Sequence, residues 1–330
     1  MSVNFDVFFG CPKCHKKVNS TFQKIQNHEL LKCPSCDSQF TIHDVYDFYY
    51  ANDPLVKGAI DLLTRFSGEY GIKPTDDNSH KSIEKFLQDS KFNYLLKEAF
   101  KHIFLYGDAY ILLKKDKSNQ ITGLQLLHPR NVSIELGEDI QRGQAFTGEK
   151  EIKRFRVDDD GTIINFPKED IIHLKGHDVW LYDTYGESII RIVLPQLYNV
   201  RFARAIGSVP LINMLENSII PAFGIPKSMI EKKLNKDVAR LAVSLFTNDI
   251  DIQHRHVRNK LQTMINKIAI AMKLKTTPQI ELRKPNNGIV LAHCGYDMTE
   301  DIEMLKKLVD NKIISPTEFE NITNQWLGKV

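Results

Sequence analysis

The sequence lacks any run of about 18 uncharged apolar residues, which is what a helix needs to cross a membrane. Its most apolar stretch, residues 205–226, is interrupted by Pro210, Glu216 and Pro221. The first residues also lack the basic segment followed by an apolar segment that marks a secretory signal. We therefore expect a soluble intracellular protein with no membrane partner.

Signatures of enzymes are also missing. There is no Gly-rich phosphate loop ending in Gly-Lys-Ser/Thr, no nucleophile elbow and no His-Glu-x-x-His motif. A large excess of one sign of charge is missing as well, because 44 basic and 41 acidic residues leave a net charge of only +3. This excludes a protein coated in positive charge, although it permits a local basic surface. We expect a globular protein without enzymatic activity.

Cysteine is rare and unevenly distributed. Four of the five cysteines lie in the first 36 residues, as the pairs Cys11-x-x-Cys14 and Cys33-x-x-Cys36. A two-residue gap lets one tight turn direct both sulfurs at one metal ion, and tetrahedral zinc takes four such donors. The spacing therefore predicts a zinc ribbon over residues 1–48, with two short hairpins and one structural Zn²⁺ per chain.

Other interpretations of the cysteine pairs are weaker. Disulfides are unusual in a chain without a secretion signal, and a redox dithiol needs only one pair. His15, His28 and His43 are less favoured ligands than the four cysteines. A ribbon this small cannot bury a sufficient core alone, so zinc should supply its folding energy. We expect serine at Cys14 or Cys36 to unfold the ribbon and to spare the rest of the chain.

The fifth cysteine follows a histidine, in the pair His293-Cys294. A thiol nucleophile beside its base is one interpretation of this pair. However, adjacent residues on a strand point to opposite faces, so sequence neighbours rarely form such a dyad. We expect Cys294 to be a buried structural residue.

The remaining chain divides by hydrophobic period. Apolar residues at helical spacing predict helices over residues 45–68 and 83–105, with a polar loop over 73–82 between them. The period then becomes that of strands, and Asp158–Gly161 favours a solvated reversal rather than a cation site. The predicted strands are Ala109–Leu113, Ile121–Leu127, Pro129–Leu136, Lys153–Val157, Thr162–Phe166 and Ile171–Leu174.

Helices resume after the strands. Pro195 either bends the helix predicted over Ser188–Ala205 or marks a new start. Ser315-Pro316-Thr317-Glu318 is typical of a capped helix start. The other predicted helices are Lys236–Thr247, Arg255–Lys273 and Thr299–Asp310. The fold class is α+β, with mixed helices around a small antiparallel β unit and a small ribbon at the N-terminus.

Motifs at Phe104–Tyr110, Lys168–Lys175 and Tyr185–Ser188 follow one another along the chain. Together with other stretches over most of residues 50–325, and in this order, they resemble the portal proteins of tailed bacteriophages. The helix-to-strand junction of that family is similar to Phe104–Tyr110, which contains Gly107-Asp108-Ala109-Tyr110. The family's later junction into a long helix is similar to Lys168–Lys175 followed by Tyr185-Gly186-Glu187-Ser188. Further similar stretches are Ile111–Leu127, Leu127–Val132, Gly224–Lys227 and Leu308–Asn321.

The resemblance implies a ring of subunits, typically twelve, at one vertex of a capsid. Double-stranded DNA passes through the ring during packaging and ejection. The implied partners are the terminase large subunit, a neck or adaptor protein and the major capsid protein. The implied location is the virion, after assembly in the host cytoplasm. The ring itself hydrolyses nothing.

The resemblance also implies a domain arrangement and a DNA-facing surface. A portal-like body would occupy residues 49–330, with a β-rich unit at about 109–175 and a part similar to stem, clip and crown at about 186–330. The candidate stem helix is Arg255–Lys273. A basic helix face of this kind is usually only exposed to solvent. The DNA-channel candidates are Arg255, Arg258, Lys260 and Lys267.

Two other functions fit the sequence. One is a zinc-ribbon regulator that binds nucleic acid, for which we expect salt-sensitive DNA binding by residues 1–50. The other is a different structural protein of the head–tail neck or the virion. Both alternatives retain the zinc ribbon, so the cysteine pairs do not choose among the three functions.

Overall fold

The computed structural model describes residues 6–21, 24–25, 28–73, 76–142, 145–176, 184–223, 225, 236–283, 290, 299–310 and 315–327. Its secondary structure is mixed, with helices arranged around small antiparallel sheets, which confirms the α+β class. The predicted structural role of Cys294, and the stretch Gly224–Lys227 except for Ile225, lie outside the described residues.

Two short hairpins form the N-terminal part. Strand β1 (Asp6–Gly10) pairs antiparallel with β2 (Lys17–Thr21), and β3 (Leu31–Lys32) pairs antiparallel with β4 (Gln39–Phe40). Alternate side chains of β1 are buried, including Val7 and Phe9. The tip of each hairpin carries one of the cysteine pairs, as the spacing predicted.

A single helix predicted over residues 45–68 is in fact two. Helix α1 spans Ile42–Asn52 and helix α2 spans Pro54–Ser67. Between them Asp53 is extended, and its carboxylate accepts hydrogen bonds from the peptide N–H groups of Leu55 and Val56 at 3.0 and 3.3 Å. This is an N-cap followed by proline at the first helical position. The predicted domain boundary at residue 48 falls inside α1.

The next segment differs from its prediction at two places. After strand β5 (Tyr70–Lys73), the predicted loop 73–82 contains the start of helix α3 (Asp77–Asp89), capped by Asp76. The helix predicted over 83–105 is interrupted by Lys91, which has a φ of 50° in the left-handed region. Helix α4 (Phe92–Tyr106) follows and ends at Gly107, whose φ is +91°.

The β-rich unit consists of two three-stranded antiparallel sheets. Their strand orders are β11-β6-β7 and β10-β9-β8. The strands are β6 (Asp108–Lys115), β7 (Ile121–Leu127), β8 (Val132–Arg142), β9 (Ala145–Asp159), β10 (Thr162–Pro167) and β11 (Ile171–Lys175).

Two turns in this unit test the sequence predictions. Residues Pro129–Asn131 form a 3₁₀ turn rather than the start of a strand, because His128 accepts the N–H of Arg130 and caps the turn. The reversal at Asp158–Gly161 is confirmed as a tight turn. Asp160 and Gly161 both have positive φ, and the Gly161 N–H donates to the Asp158 carboxylate at 2.7 Å. All three aspartates are exposed.

The C-terminal half is mainly helical. Helix α5 (Leu194–Ala205) has Pro195 in its first turn, so the proline marks a new start. After α6 (Val209–Ala222), two predicted helices are joined in α7 (Lys236–Ala271), 36 residues long. Strand β12 (Gln279–Leu282) pairs with β5, and helices α8 (Thr299–Asp310) and α9 (Pro316–Leu327) follow. Ser315 and Glu318 form the predicted cap, with each side chain bonded to the other residue's peptide N–H.

One large hydrophobic core extends from the N-terminal hairpins through α1, α2, α4, α5 and α7 to the inner face of β6. A smaller cluster fills the space between the two sheets of the β-rich unit. Within the described residues, no helix combines the length and the apolar character that a membrane crossing needs.

Candidate functional site

The two cysteine turns have the same backbone geometry. In the first turn, the Cys11 N–H donates to the carbonyl of Lys16 and the His15 N–H donates to the carbonyl of Cys11, both at 2.9 Å. In the second, the N–H groups of Cys33 and Asp37 make the equivalent bonds at 2.9 and 3.0 Å. His15 and Asp37 both adopt the left-handed conformation, at φ 64° and 55°. Each turn therefore directs two sulfurs to the same side.

The two turns bring the four predicted ligands together. The sulfurs of Cys11 and Cys36 are 3.8 Å apart, those of Cys14 and Cys33 are 3.6 Å apart, and all four lie within 4.8 Å of one another. A tetrahedral zinc ion bound at about 2.3 Å separates its sulfur ligands by about 3.8 Å. A disulfide bond is only about 2.05 Å long, and the four cysteines are free thiols. The geometry therefore suits a four-sulfur metal site.

The electrostatics of the cluster also favour a bound cation. Burial opposes ionisation of Cys11, but hydrogen bonds from peptide N–H groups and from the Ser38 hydroxyl lower its pKa to about 6. A peptide hydrogen bond at Lys16 favours the Cys14 thiolate, but burial and the three neighbouring sulfurs raise the pKa of Cys14 to about 12. Four adjacent thiolates therefore need a positive charge among them, which a divalent metal supplies.

The histidines considered as substitute ligands lie elsewhere. The His15 ring packs on Phe48 at 5.1 Å between centroids, and the His28 ring packs on Tyr185 at 4.2 Å. His43 is buried in α1 beside His28. In the described part of the chain, the group of side chains that could hold a metal contains only the four cysteines.

The four DNA-channel candidates do not share one face of α7. At about 100° per residue, Arg255 lies near Arg258 and Lys260 lies near Lys267, but the two pairs are roughly 160° apart around the helix. Between the pairs runs an exposed stripe that comprises Asn259, Thr263, Asn266 and Ile270.

These basic side chains also differ in their partners. Arg255 pairs with Asp251 on the same helix at 3.6 Å. Lys267 donates to the carbonyl of Glu169, in the turn between β10 and β11, at 2.6 Å. Partial burial lowers the pKa of Lys267. Arg258 and Lys260 are exposed, and neither forms an ion pair within the described residues. DNA contact by any of the four stays a prediction.

Three of the stretches that resemble portal sequences, Phe104–Tyr110, Lys168–Lys175 and Tyr185–Ser188, meet at one buried point, which we call the junction. It comprises Gly107, Asp108, His173, Gly186 and Ser188. The Asp108 carboxylate accepts hydrogen bonds from His173 Nε2 at 2.6 Å and from the Gly186 N–H at 2.7 Å. Ser188 Oγ donates to the carbonyl of Leu105, in the last turn of α4, at 2.7 Å. Burial lowers the pKa of His173 although Asp108 opposes this, so the histidine is neutral and donates to the carboxylate.

Glycine is required at the junction for steric reasons. A Cβ atom on Gly186 would lie 1.9 Å from the carbonyl oxygen of Gly107, and one on Gly107 would lie 2.5 Å from that of Gly186. The N–H of Gly176 donates to the Gly107 carbonyl at 2.6 Å in the same contact. Three backbone segments therefore touch directly, and this holds the end of α4 against the segment that leads to α5.

Sequence analysis missed the convergence of four histidines beside the junction, His28, His43, His102 and His128, which we call the histidine cluster. His43 is buried, His28 and His102 are half-buried, and His128 is the most exposed of the four. The rings of His43 and His128 each face Tyr106, at 5.4 and 5.0 Å. Burial lowers the pKa of all four, that of His102 to about 3. The four residues lie on separate elements and share no spacing, so no pattern in the sequence predicted their convergence.

Comparisons with known proteins give similarity in structure only. No protein-family model matches the chain, and no curated protein matches it. Among solved structures of gene transfer agent (GTA) particles, a chain from "Neck of native GTA particle computed with C12 symmetry" is 12% identical. That alignment covers 89% of this chain and 95% of the other, with a TM-score of 0.51.

A chain from "Neck of empty GTA particle computed with C6 symmetry" is also similar. It is 11% identical, the alignment covers 79% of this chain and 87% of the other, and the TM-score is 0.51. At these identities the similarity concerns the fold. The chain therefore has a fold similar to that of a chain from the neck of a GTA particle.

Proposed function

We propose that this protein is a portal, the ring-forming DNA channel between the head and the tail of a tailed-phage-like particle. The observation that carries the proposal is the similarity of fold to a GTA neck chain, because it extends over nearly the whole of both chains. A single shared motif or subdomain would leave the overall role open. A match over nearly the whole length of both chains favours a similar place in the particle.

The junction supports this proposal independently. The residues in the portal-like motifs come from segments far apart in the sequence, yet Asp108, His173, Gly186 and Ser188 bond to one another or to the same helix end. The resemblance therefore rests on residues that have a common structural task. Chance similarity in separate short motifs gives no reason for such convergence.

The surface also suits a ring. Four large apolar side chains on α5, α6 and the turn between them are each 57–61% exposed: Phe202, Ile206, Val209 and Met214. Closed rings are built from interfaces between different patches of identical subunits, and such interfaces bury apolar side chains. The C12 symmetry with which the similar neck was computed favours twelve copies.

We place the DNA beside α7. Arg258 and Lys260 flank its exposed stripe of uncharged side chains, and each offers a positive charge without an ion-pair partner in the described residues. A channel has to let DNA slide, and many phosphate contacts would hold it in place. A few basic side chains beside neutral polar ones suit that requirement.

The remaining parts of the proposal follow from the portal role. The ring binds the terminase large subunit during packaging and a neck or adaptor protein afterwards, and it contacts the major capsid protein at the vertex. It assembles in the host cytoplasm, becomes part of the virion and carries out no reaction of its own. Cys11, Cys14, Cys33 and Cys36 hold one structural Zn²⁺ per chain, for which the sulfur spacing is the support.

Electron microscopy of the purified full-length protein tests the ring. We expect annular particles with a central hole, and mass photometry should give a mass near twelve subunits. Particles of one or two subunits under every assembly condition would contradict the portal. Rings that form but leave duplex DNA unbound would instead favour the neck-protein alternative.

A further inference from the structure

We propose that the metal in the N-terminal hairpins stabilises the body of the protein as well as the hairpins, so that metal loss disables ring assembly. The inference rests on the proposed zinc site and the proposed ring. It replaces the expectation that serine at Cys14 or Cys36 spares the rest of the chain. Its basis is the set of contacts that the two hairpins make with the helices.

Strand β1 lies directly on the body. The Phe8 ring meets Tyr198 of α5 edge to face, with 6.0 Å between centroids. A Cβ atom on Gly10 would lie 3.5 Å from the Tyr198 ring and 3.6 Å from the hydroxyl of Tyr49 in α1. The backbone just before the first cysteine therefore sits between two helices of the body.

The first cysteine turn makes a second contact. His15, the residue after Cys14, packs its ring on Phe48 of α1 at 5.1 Å. The Arg201 guanidinium of α5 lies 4.6 Å from the centroid of the same Phe48 ring. His15, whose left-handed conformation belongs to the metal-binding turn, thus packs on the same ring of α1 that Arg201 of α5 contacts.

The segment between the two cysteine pairs makes a third contact, on the side of the β-rich unit. The His28 ring packs on Tyr185 at 4.2 Å. The Tyr185 hydroxyl in turn accepts the N–H of Ile134 in β8 at 3.1 Å. His28 therefore connects the hairpins to the segment that enters the junction and, through Tyr185, to the sheet β10-β9-β8.

The interior of the hairpins is continuous with the main core. Their buried apolar side chains belong to the same cluster as those of α1, α2, α4 and α5; they are Val7, Phe9, Val18, Ile25, Leu31 and Phe40. The strands β3 and β4 have only two residues each, so backbone bonding alone gives the second hairpin little stability. Unfolding of the hairpins would expose these side chains and uncover one side of α1 and α5.

Metal binding then acts on the whole chain through linkage. An ion that binds the folded state and not the unfolded state stabilises every part that unfolds cooperatively with its site. Because the core is shared across residue 48, the hairpins and the helices beneath them form one such unit. Helices α5 and α6, which carry the exposed apolar side chains, would lose their alignment when the metal leaves.

Tryptophan fluorescence can follow the body separately, because both tryptophans, Trp180 and Trp326, lie outside residues 1–48. Thermal unfolding of the full-length protein is measured with zinc bound and after removal of zinc by a chelator. We expect the midpoint of the tryptophan signal to fall by more than about 5 °C and rings to dissociate. Hydrogen exchange should quicken in α1 and α5, the helices on which the hairpins pack.

Two tyrosine variants separate the contact from general damage. Tyr198→Ala keeps all four cysteines but removes the ring beneath Phe8 and Gly10, so it should retain one zinc per chain and show a smaller midpoint shift on chelation. Tyr94→Ala is the matched control, because Tyr94 is exposed on α4. Its shift should equal that of the wild type. Cys14→Ser should have the unfolding midpoint of the wild type after zinc removal. If that variant fails to fold, the comparison of the wild type before and after chelation still tests the inference.

The outcomes distinguish the inference from the proposals beneath it. Absence of zinc from the purified protein by elemental analysis would remove the metal assignment and the inference with it. One zinc per chain with an unchanged midpoint, exchange pattern and ring population after chelation would overturn the coupling and leave the metal site intact. Zinc-dependent stability in a protein that stays monomeric would support the coupling and contradict the ring.

Discussion

Asp108 occupies the most demanding position at the level of single residues. It is fully buried, and its carboxylate accepts from both His173 and the peptide of Gly186. Such a group cannot be removed alone, because its donors would remain buried without acceptors. The sequence motif contained this aspartate, but only the structure shows that its partners are the histidine and the glycine of the two later motifs.

Substitution of Asp108 should therefore destabilise the protein strongly. Asp108→Ala leaves two buried donors unpaired, and we expect it to lower the free energy of unfolding by about 3 kcal/mol. Asp159→Ala, at the exposed end of β9, should change it by less than about 0.5 kcal/mol. Urea unfolding of both variants gives the comparison. Similar midpoints for the two would show that the junction carries little stability.

The histidine cluster predicts a loss of stability in acid. Burial holds the pKa of His43 well below 6.5, and the charges of His28, His128, Arg130 and His102 act in the same direction. A histidine whose pKa is lower in the folded state takes up its proton on unfolding. Its contribution to stability is therefore complete above pH 6.5 and is lost as the pH falls below that value.

His43→Phe tests this dependence, since it keeps a ring of similar size and removes one ionisable group. Between pH 6.5 and 5, the wild type should lose up to about 1.4 kcal/mol per pH unit more than the variant. Acid also displaces zinc, but it does so equally in both chains, so the difference between them reports His43. Parallel stability curves across this pH range would contradict the assignment.

Individual elements were predicted best where local chemistry decides them. The bounds of Ile121–Leu127 and Thr299–Asp310, the Asp-Gly reversal and the Ser315 cap follow from side-chain period and turn residues, and all are confirmed. The cysteine turns belong to the same group, because a two-residue gap permits few geometries. In these cases the residues that determine the structure are neighbours in the sequence.

Elements that depend on distant contacts were predicted poorly. The break at Lys91 has no glycine or proline to signal it, and the polar start of α3 resembles a loop. That start is held by Asp76, which bonds the N–H of Ser79 and also the hydroxyl of Thr276 from far along the chain. The pairing of β5 with β12 likewise joins segments that lie far apart in the sequence. Tertiary partners outweigh local preference at these positions.

Two basic residues on helix α7 are predicted to contribute to DNA binding. Arg258→Glu or Lys260→Glu should leave ring formation intact and weaken binding of linear duplexes regardless of sequence. The slope of log affinity against log salt should decrease by at least about 1 for each variant. Lys85→Glu, an exposed lysine on α3, is the control and should keep the wild-type slope. Fluorescence anisotropy at several salt concentrations measures this, and equal slopes in all four proteins would remove α7 from the channel.

At the scale of the whole molecule, the fold class and the clustering of the four cysteines could be predicted from the sequence, and the continuity of the core could not. The cysteine spacing suggested a separate ribbon attached to a body. The buried side chains instead form one cluster on both sides of residue 48. Contacts such as Phe8 with Tyr198 join residues far apart in the chain, and side-chain period says nothing about such pairs.

The junction also determines how this architecture can vary. The chain leaves α4 at Gly107, builds all six strands of the β-rich unit and returns to touch its own point of departure at Gly186. A segment that begins and ends at one place can lengthen or shorten without displacing the helices on either side, since only its closure entropy changes, and that changes slowly with length. Evolution can therefore lengthen or shorten the strands of the sheet β10-β9-β8, as long as the contact between Gly107 and Gly186 at the junction is kept.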